Sequence, residues 1–182
     1  MRIVSGKHKG RRIMAPKKLP VRPTTDMAKE ALFNILNNRF YFDELTVLDL
    51  FTGTGNISYE FASRGTTAIT AVDSDAGCVA FVARIAREMA MEITPIKSDV
   101  FTYLKKVPSK SDIIFADPPY GISFESFASI PSLVFEKELL HENGVLVVEH
   151  SVQTDLSSLP YFNNQRKYGS SLFSFFEQEN AN

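Results

Sequence analysis

Short apolar runs recur along this chain from Thr46 onward, and four of them carry an aspartate at or just past their carboxyl end. The runs lie near 46–50, 68–72, 93–97, 112–116 and 145–149. The stretches near 56–64, 76–91, 99–106 and 131–141 read as helices. Strands that alternate with helices form a parallel sheet covered on both faces, since a parallel crossover needs a helix to bring the chain back. Open sheets of this kind hold their ligand crevice outside the carboxyl ends of the strands. Singly, Asp49, Asp73, Asp99 and Asp117 would be ordinary strand-end or helix-cap residues. At the ends of successive strands they converge on one crevice.

Two of these acids sit in informative local sequence. Asp117-Pro118-Pro119-Tyr120 directly follows the run Ile113 to Ala116. Pro118 and Pro119 stiffen the loop, and Pro118 keeps a carbonyl acceptor although it has no N–H. Such a loop suits a planar ring bearing an exocyclic amine. Asp117 and the Pro118 carbonyl would accept the two amine hydrogens while Tyr120 stacks on the ring. Asp49 opens the second segment, Asp49-Leu50-Phe51-Thr52-Gly53-Thr54-Gly55-Asn56, a strand, glycine turn and helix as found at nucleotide sites. Gly53 and Gly55 allow a tight turn and a close ligand approach. This is not a dinucleotide fingerprint, because Ser58 occupies the place of the third glycine and Asp49 would repel a pyrophosphate. A cationic amino-acid end, such as the methionyl part of S-adenosylmethionine, would be attracted. Asp73 follows at the spacing where an acid receives ribose hydroxyls. Asp99 is placed to meet an adenine edge.

The net charge of −1 hides a division. Up to Arg39 there are ten basic and two acidic residues, hence +8, leaving ten basic and nineteen acidic, hence −9, for the remainder. A positive arm on an acidic body is an electrostatic footprint of nucleic-acid binding. Arg2, Lys7, Lys9, Arg11 and Arg12 interleave with Gly6 and Gly10 between the apolar pairs Ile3-Val4 and Ile13-Met14. That pattern predicts a small basic β-hairpin. Residues 1–23 form this arm and a linker ending at Arg22-Pro23, and residues 24–182 form the main domain. Thr24, Thr25 or Asp26 can cap a helix with the inward stripe Ala28, Ala31, Leu32, Ile35 and Leu36.

A length of 182 residues suits one domain with a sizeable core. No apolar run approaches the length of a membrane span, and no export signal is evident. The single cysteine, Cys78, excludes an internal disulfide and fits a reducing cytoplasm. It lies on a helical apolar stripe and reads as a core residue. His8, His141 and His150 show no metal-ligand spacing, so no metal is expected, and His150 reads as structural or as acting behind the site. The end of the chain, from Phe162 through Tyr168-Gly169 to Glu177, reads as a closing antiparallel strand pair.

Asp49 to Gly55 together with Asp117 to Tyr120 resembles the class I S-adenosylmethionine-dependent methyltransferases that modify exocyclic amines. Arg2-Ile3-Val4-Ser5-Gly6-Lys7, Arg22-Pro23-Thr24-Thr25-Asp26, Ala31-Leu32-Phe33-Asn34-Ile35-Leu36, Val147-Val148-Glu149-His150 and Lys167-Tyr168-Gly169 narrow the likeness. With them the chain is similar to the bacterial small-subunit ribosomal RNA guanine-N2 methyltransferases from residue 2 to about 176. The resemblance implies a Rossmann-like, mostly parallel seven-stranded sheet with helices on both faces. It also implies a methyl transfer from S-adenosylmethionine to the N2 amine of a guanine in 16S rRNA. Asp49, Phe51, Gly53 and Gly55 would hold the methionyl end, Asp73 the ribose and Asp99 the adenine. Asp117 to Tyr120 would carry catalysis, and Arg2, Lys7, Lys9, Arg11, Arg12 and Arg22 would grip RNA. The expected partner is 16S rRNA or the small subunit, and a cytoplasmic monomer is expected. A DNA adenine-N6 methyltransferase shares the Asp117 to Tyr120 loop but usually carries an added recognition domain. A nucleotide-dependent oxidoreductase would want the third glycine. A non-catalytic RNA-binding protein would not need Asp117.

Overall fold

The protein is described by a computed structural model over residues 1–20 and 24–178, so Arg22 lies outside the described residues. Seven strands form one sheet in the order β3-β2-β1-β4-β5-β7-β6. They are β1 Thr46–Leu50, β2 Ala68–Asp73, β3 Ile93–Lys97, β4 Ser111–Ala116, β5 Leu140–Ser151, β6 Phe162–Tyr168 and β7 Ser171–Phe176. The pairs β1–β2, β2–β3, β1–β4 and β4–β5 are parallel, whereas β7 runs antiparallel to both β5 and β6. The closing antiparallel pair therefore forms as the sequence predicts. β1 pairs with β2 on one side and with β4 on the other, so the strand order reverses between β1 and β4. A crevice opens at such a reversal because the chains leaving the two strands diverge to opposite sides.

Period-two alternation sorts the strand residues to two faces. Val47, Ile69, Ile113, Phe115, Val145 and Val147 share one core with helices α1 (Asp26–Asn37), α2 (Asn56–Ser63) and α3 (Ala76–Glu88). Leu48, Leu50, Ile114, Leu146 and Val148 share the other with α4 (Val100–Leu104) and α5 (Phe124–Glu136). Thr25 caps α1, its hydroxyl accepting from the Ala28 N–H at 3.2 Å. The buried face of α1 is Ala28, Lys29, Leu32, Phe33 and Leu36, while Ala31 and Ile35 are half-buried.

The late elements differ most from expectation. Helix α5 spans Phe124–Glu136 and contains Pro131, the residue at which the sequence suggests a helix start. Ser123 supplies the actual cap, accepting from the Ser126 N–H at 3.2 Å. Glu138 at φ 51 ends the helix, with the Leu139 N–H donating back to the Val134 carbonyl at 2.9 Å. That reversal frees Leu140 to begin β5, which is longer than its apolar run suggests.

The arm reverses on itself as a short antiparallel pairing around the bridge Arg2–Arg12, with the Ile3 N–H donating to the Arg11 carbonyl and the Ile13 N–H to the Met1 carbonyl, both at 2.9 Å. Its turn is docked instead of extended. The N–H groups of Val4 and Ser5 donate to the Glu60 carboxylate at 2.9 and 3.0 Å, and the Lys7 N–H donates to the Ser63 carbonyl at 2.7 Å. Gly6 sits at φ 82 where a Cβ would fall 1.9 Å from the Ser63 oxygen, so only glycine permits this approach. Ile3 and Ile13 bury their side chains in the core beneath α1 and α2. Lys29, counted with the basic arm in sequence, is fully buried. Its Nζ donates to the Arg2 carbonyl at 2.6 Å and to Asn56 Oδ1 at 2.8 Å, and pairs with Glu60 at 3.2 Å. The arm's exposed charge is therefore carried by Arg2, Lys7, Lys9, Arg11, Arg12, Lys17 and Lys18.

Candidate active site

The reversal between β1 and β4 holds a pocket of about 660 Å³. That size falls in the ordinary range for small-molecule sites. Asp49 and Phe51 to Thr54 border it from β1 and its turn, Asn56 and Ile57 from α2, Asp73 to Asp75 from β2, and Phe115 with Asp117 to Tyr120 from β4. Thr24 and Pro20 close the side nearest α1. Asp49, Asp73, Asp75 and Asp117 line the pocket, and among the described residues no lysine, arginine or histidine does. A wall charged in this way attracts a cation and repels a pyrophosphate.

The glycine turn is held in an unusual backbone. Phe51 has φ 57, rare for a non-glycine residue, and the Thr52 N–H reaches across to the Val72 carbonyl at 3.0 Å. Gly55 has φ 84, and a Cβ there would lie 2.6 Å from the Tyr59 ring. Ser58, standing in place of a third glycine, has its own task. Its hydroxyl donates to Asp49 Oδ2 at 2.6 Å, and the Thr52 hydroxyl donates to the same oxygen at 2.7 Å. Asp49 is 1% exposed. Burial raises its pKa to about 6 while the two hydroxyls pull it back, so the group is ionised at neutral pH. Asp73 accepts from the Gly53 N–H at 2.8 Å through Oδ2 and from the Asp75 N–H at 2.9 Å through Oδ1. Each oxygen keeps a second lone pair for a ligand hydroxyl.

Asp117 lies half-buried on the pocket wall, followed by buried Pro118 and then exposed Pro119 and Tyr120. Tyr120 is 62% exposed at the pocket mouth. Burial, reinforced by the charges of Glu149 and Asp49, raises the Asp117 pKa well above the usual carboxylate range. Glu149 is a further acid at the site, beyond those the sequence points to. The register Phe115–Val147 and Ala116–Val148 sets it beside Asp117 on the same face of the sheet. It is buried, and its Oε2 accepts from the Thr24 hydroxyl at 2.7 Å. Burial raises its pKa too, against the hydrogen bonds from Thr24 and Ser171. A signal for it exists in the sequence, since Glu149 ends an apolar run as the four aspartates do.

Asp99 is the one site aspartate that the pocket does not reach. It is exposed and caps α4, accepting from the Thr102 N–H at 2.8 Å. Cys78 is buried as expected yet also borders the pocket, and burial pushes its thiol up to about 12, far from a reactive thiolate. His150 is buried against Ser174 Oγ at 2.7 Å and the Ser151 carbonyl at 3.0 Å. Among the described residues no cluster of His, Cys, Asp and Glu has metal-binding geometry, and no helix is long and apolar enough to cross a membrane.

A seven-stranded sheet of this order, with its pocket between the turn after β1 and the loop after β4, is the class I methyltransferase fold. A hypothetical protein of Thermus thermophilus superimposes with a TM-score of 0.85 at 24% identity, over 98% of this chain and 99% of that one. The chain belongs to the family described as conserved hypothetical protein 95, whose profile matches residues 1–177. A relative in Buchnera aphidicola subsp. Acyrthosiphon pisum, the ribosomal RNA small subunit methyltransferase D, is 32% identical over 151 residues, covering 81% of this chain and 76% of its own. The chain also resembles part of a Thermus thermophilus 16S rRNA N2 methyltransferase solved with AdoMet and guanosine. The TM-score is 0.69 at 19% identity, over 88% of this chain and 45% of that one.

Proposed function

We propose that this protein transfers a methyl group from S-adenosylmethionine to the exocyclic N2 amine of a guanine in 16S rRNA. One observation carries the reading: an amine-accepting loop, Asp117 to Tyr120, borders the same acidic pocket as Asp49, Asp73 and the glycine turn. S-adenosylmethionine supplies the electrophilic methyl of its sulfonium when bound. The pocket fits it chemically, because its lining acids are not neutralised by any basic lining residue among those described. Asp49 and the turn through Gly55 would hold the ammonium end, and Asp73 the ribose hydroxyls. Tyr120 would stack on the extruded base, worth about 1–3 kcal/mol. Asp117 and the Pro118 carbonyl would accept the two amine hydrogens. Those bonds favour a pyramidal nitrogen, whose lone pair is otherwise delocalised into the ring. Positive charge growing on that nitrogen is then stabilised by the ionised Asp117 carboxylate, which would take one amine proton as the N–C bond forms and the S–C bond breaks. The names of the relatives support RNA as the substrate, and the loop alone would equally suit an adenine amine. Incubating the protein with labelled cofactor and purified small-subunit RNA, then digesting it to nucleosides, tests the reading. N2-methylguanosine is the expected product.

The state of Asp49 makes cofactor binding pH-dependent. Its folded pKa of about 6 lies above the ordinary value of 3.8. In the free protein its contribution to stability is therefore present below about pH 4 and lost as pH rises through about 6. Cofactor affinity follows the opposite sign, because only the ionised carboxylate attracts the ammonium. Calorimetry of S-adenosylhomocysteine, which keeps that ammonium, should show affinity falling about tenfold per unit below about pH 6, with proton release on binding. Asp49→Asn should bind weakly and remove this pH dependence.

The arm is proposed to hold RNA phosphates through Arg2, Lys7, Lys9, Arg11 and Arg12, with Arg22 following. Among the described residues only Arg2 of these has a carboxylate partner, Asp26 at 3.2 Å. Lys7, Lys9, Arg11 and Arg12 are exposed without one. Each phosphate contact releases a counterion, so its loss lowers the salt slope of binding by about one. Replacing Lys9, Arg11 and Arg12 with alanine should weaken RNA binding and flatten its salt dependence while leaving cofactor affinity intact. An unchanged slope in a salt titration would remove the arm from the RNA interface.

A further inference from the structure

We infer that Thr24, held by Glu149, is the group that selects guanine, resting on the reading that Asp117 receives the target amine. Thr24 borders the pocket, is 8% exposed and donates its hydroxyl hydrogen to Glu149 Oε2 at 2.7 Å. A threonine hydroxyl has one hydrogen and two acceptor lone pairs. With that hydrogen committed to Glu149, the hydroxyl can offer the pocket only an acceptor.

Glu149 in turn is fixed. It stands next to Asp117 across the β4–β5 pair, in continuation of the register Ala116–Val148. Thr24 is held from its other end as well, since its carbonyl accepts from Asn56 Nδ2 at 3.0 Å, and Asn56 Oδ1 accepts from buried Lys29. The acceptor is thus anchored on two sides, beside the place assigned to the amine.

The chemistry of the bases decides what such an acceptor admits. The N2 amine of guanine is flanked by the N1–H donor and the N3 acceptor. The N6 amine of adenine is flanked by N1 and N7, both acceptors, and the N4 amine of cytosine by N3, an acceptor, and a C–H. Guanine is therefore the one common base whose amine has a neighbouring N–H to give. Thr24 Oγ1 would accept from guanine N1–H, whereas adenine or cytosine would set two lone pairs against each other. Glu149 is a positioning residue that acts by orienting the hydroxyl.

Guanosine and 2-aminopurine riboside separate this from general packing. Both carry the amine at C2, but N1 is a donor in the first and an acceptor in the second. Their affinities are measured by nuclear magnetic resonance titration of the protein saturated with S-adenosylhomocysteine. The wild-type protein should favour guanosine by about tenfold, as expected when a buried hydrogen bond is replaced by opposed acceptors. Thr24→Val should reduce that preference to near unity by weakening guanosine alone, and Thr24→Ser should restore it. Glu149→Gln, whose amide can donate to the hydroxyl and release its hydrogen, should lower the same ratio. If Thr24→Val no longer binds S-adenosylhomocysteine, the ratio in Glu149→Gln decides. A guanosine preference unchanged in Glu149→Gln and in any folded Thr24→Val overturns the inference, as does equal wild-type affinity for the two nucleosides. Failure of the wild-type protein to methylate small-subunit RNA would instead overturn the underlying reaction, and is read in a separate assay.

Discussion

Asp117→Ala should lose methyl transfer by roughly a hundredfold or more, the usual cost of removing an aligned group that stabilises transition-state charge. S-adenosylhomocysteine affinity should stay within about twofold, because Asp117 is assigned to the amine and Asp49 and Asp73 to the cofactor. The pH profile gives a second handle on the same residue. Burial and its acidic neighbours raise the Asp117 pKa, so the ionised form is lost as pH falls through a value higher than an ordinary carboxylate's. Single-turnover rates should therefore decline on the acid side. Glu149→Gln removes a like charge and should move that decline to lower pH. An acid limb that stays in place would mean that another group sets it.

Lys29→Met should be strongly destabilising although Lys29 does not line the pocket. The ammonium ties α1 to the arm through the Arg2 carbonyl and to α2 through both Asn56 and Glu60. Breaking a buried ion pair by removing one partner costs about 3–5 kcal/mol. The lower end applies, because Arg64 at 3.1 Å and the Val4 and Ser5 N–H groups still hold Glu60. A loss of about 3 kcal/mol corresponds to a fall in Tm of roughly 6–12 °C for a chain of this size. Thermal unfolding that shifts by less than a degree or two would show that Lys29 contributes no more than an ordinary surface residue. The arm should also become more protease-sensitive in this variant, since it loses the hydrogen bond from the Lys29 ammonium to the Arg2 carbonyl.

These two residues mark where sequence is informative and where it is not. Asp117 is legible because a buried β-strand fixes the position of the residues just beyond it: apolar residues demand a core, and the first polar residues past them stand at the sheet's end. The same rule locates Asp49 and Asp73, and it locates Glu149 once applied to the last parallel strand. For Asp99 it gives the position but not the use: a strand-end acid can serve either the crevice or the next helix, nothing in the local sequence separates those two uses, and Asp99 caps α4. Lys29 is illegible for a different reason. Its period on α1 puts a charge on the buried face, and only the arrival of Glu60 and the arm's carbonyl in three dimensions makes that tolerable. Pro131 misleads in a similar way. A proline commonly starts a helix, and here the earlier cap at Ser123 outweighs that preference. The docked arm is also hidden, because its hydrogen bonds run to α2 across more than fifty positions of sequence.

The most direct measurement is methyl transfer itself, with labelled S-adenosylmethionine offered in parallel to small-subunit RNA and to DNA, and the modified nucleoside identified by mass spectrometry. The expected label is in RNA as N2-methylguanosine, lost with Asp117→Ala. Label in DNA as N6-methyladenine, or no transfer to either nucleic acid while S-adenosylhomocysteine still binds, would contradict the proposed reaction.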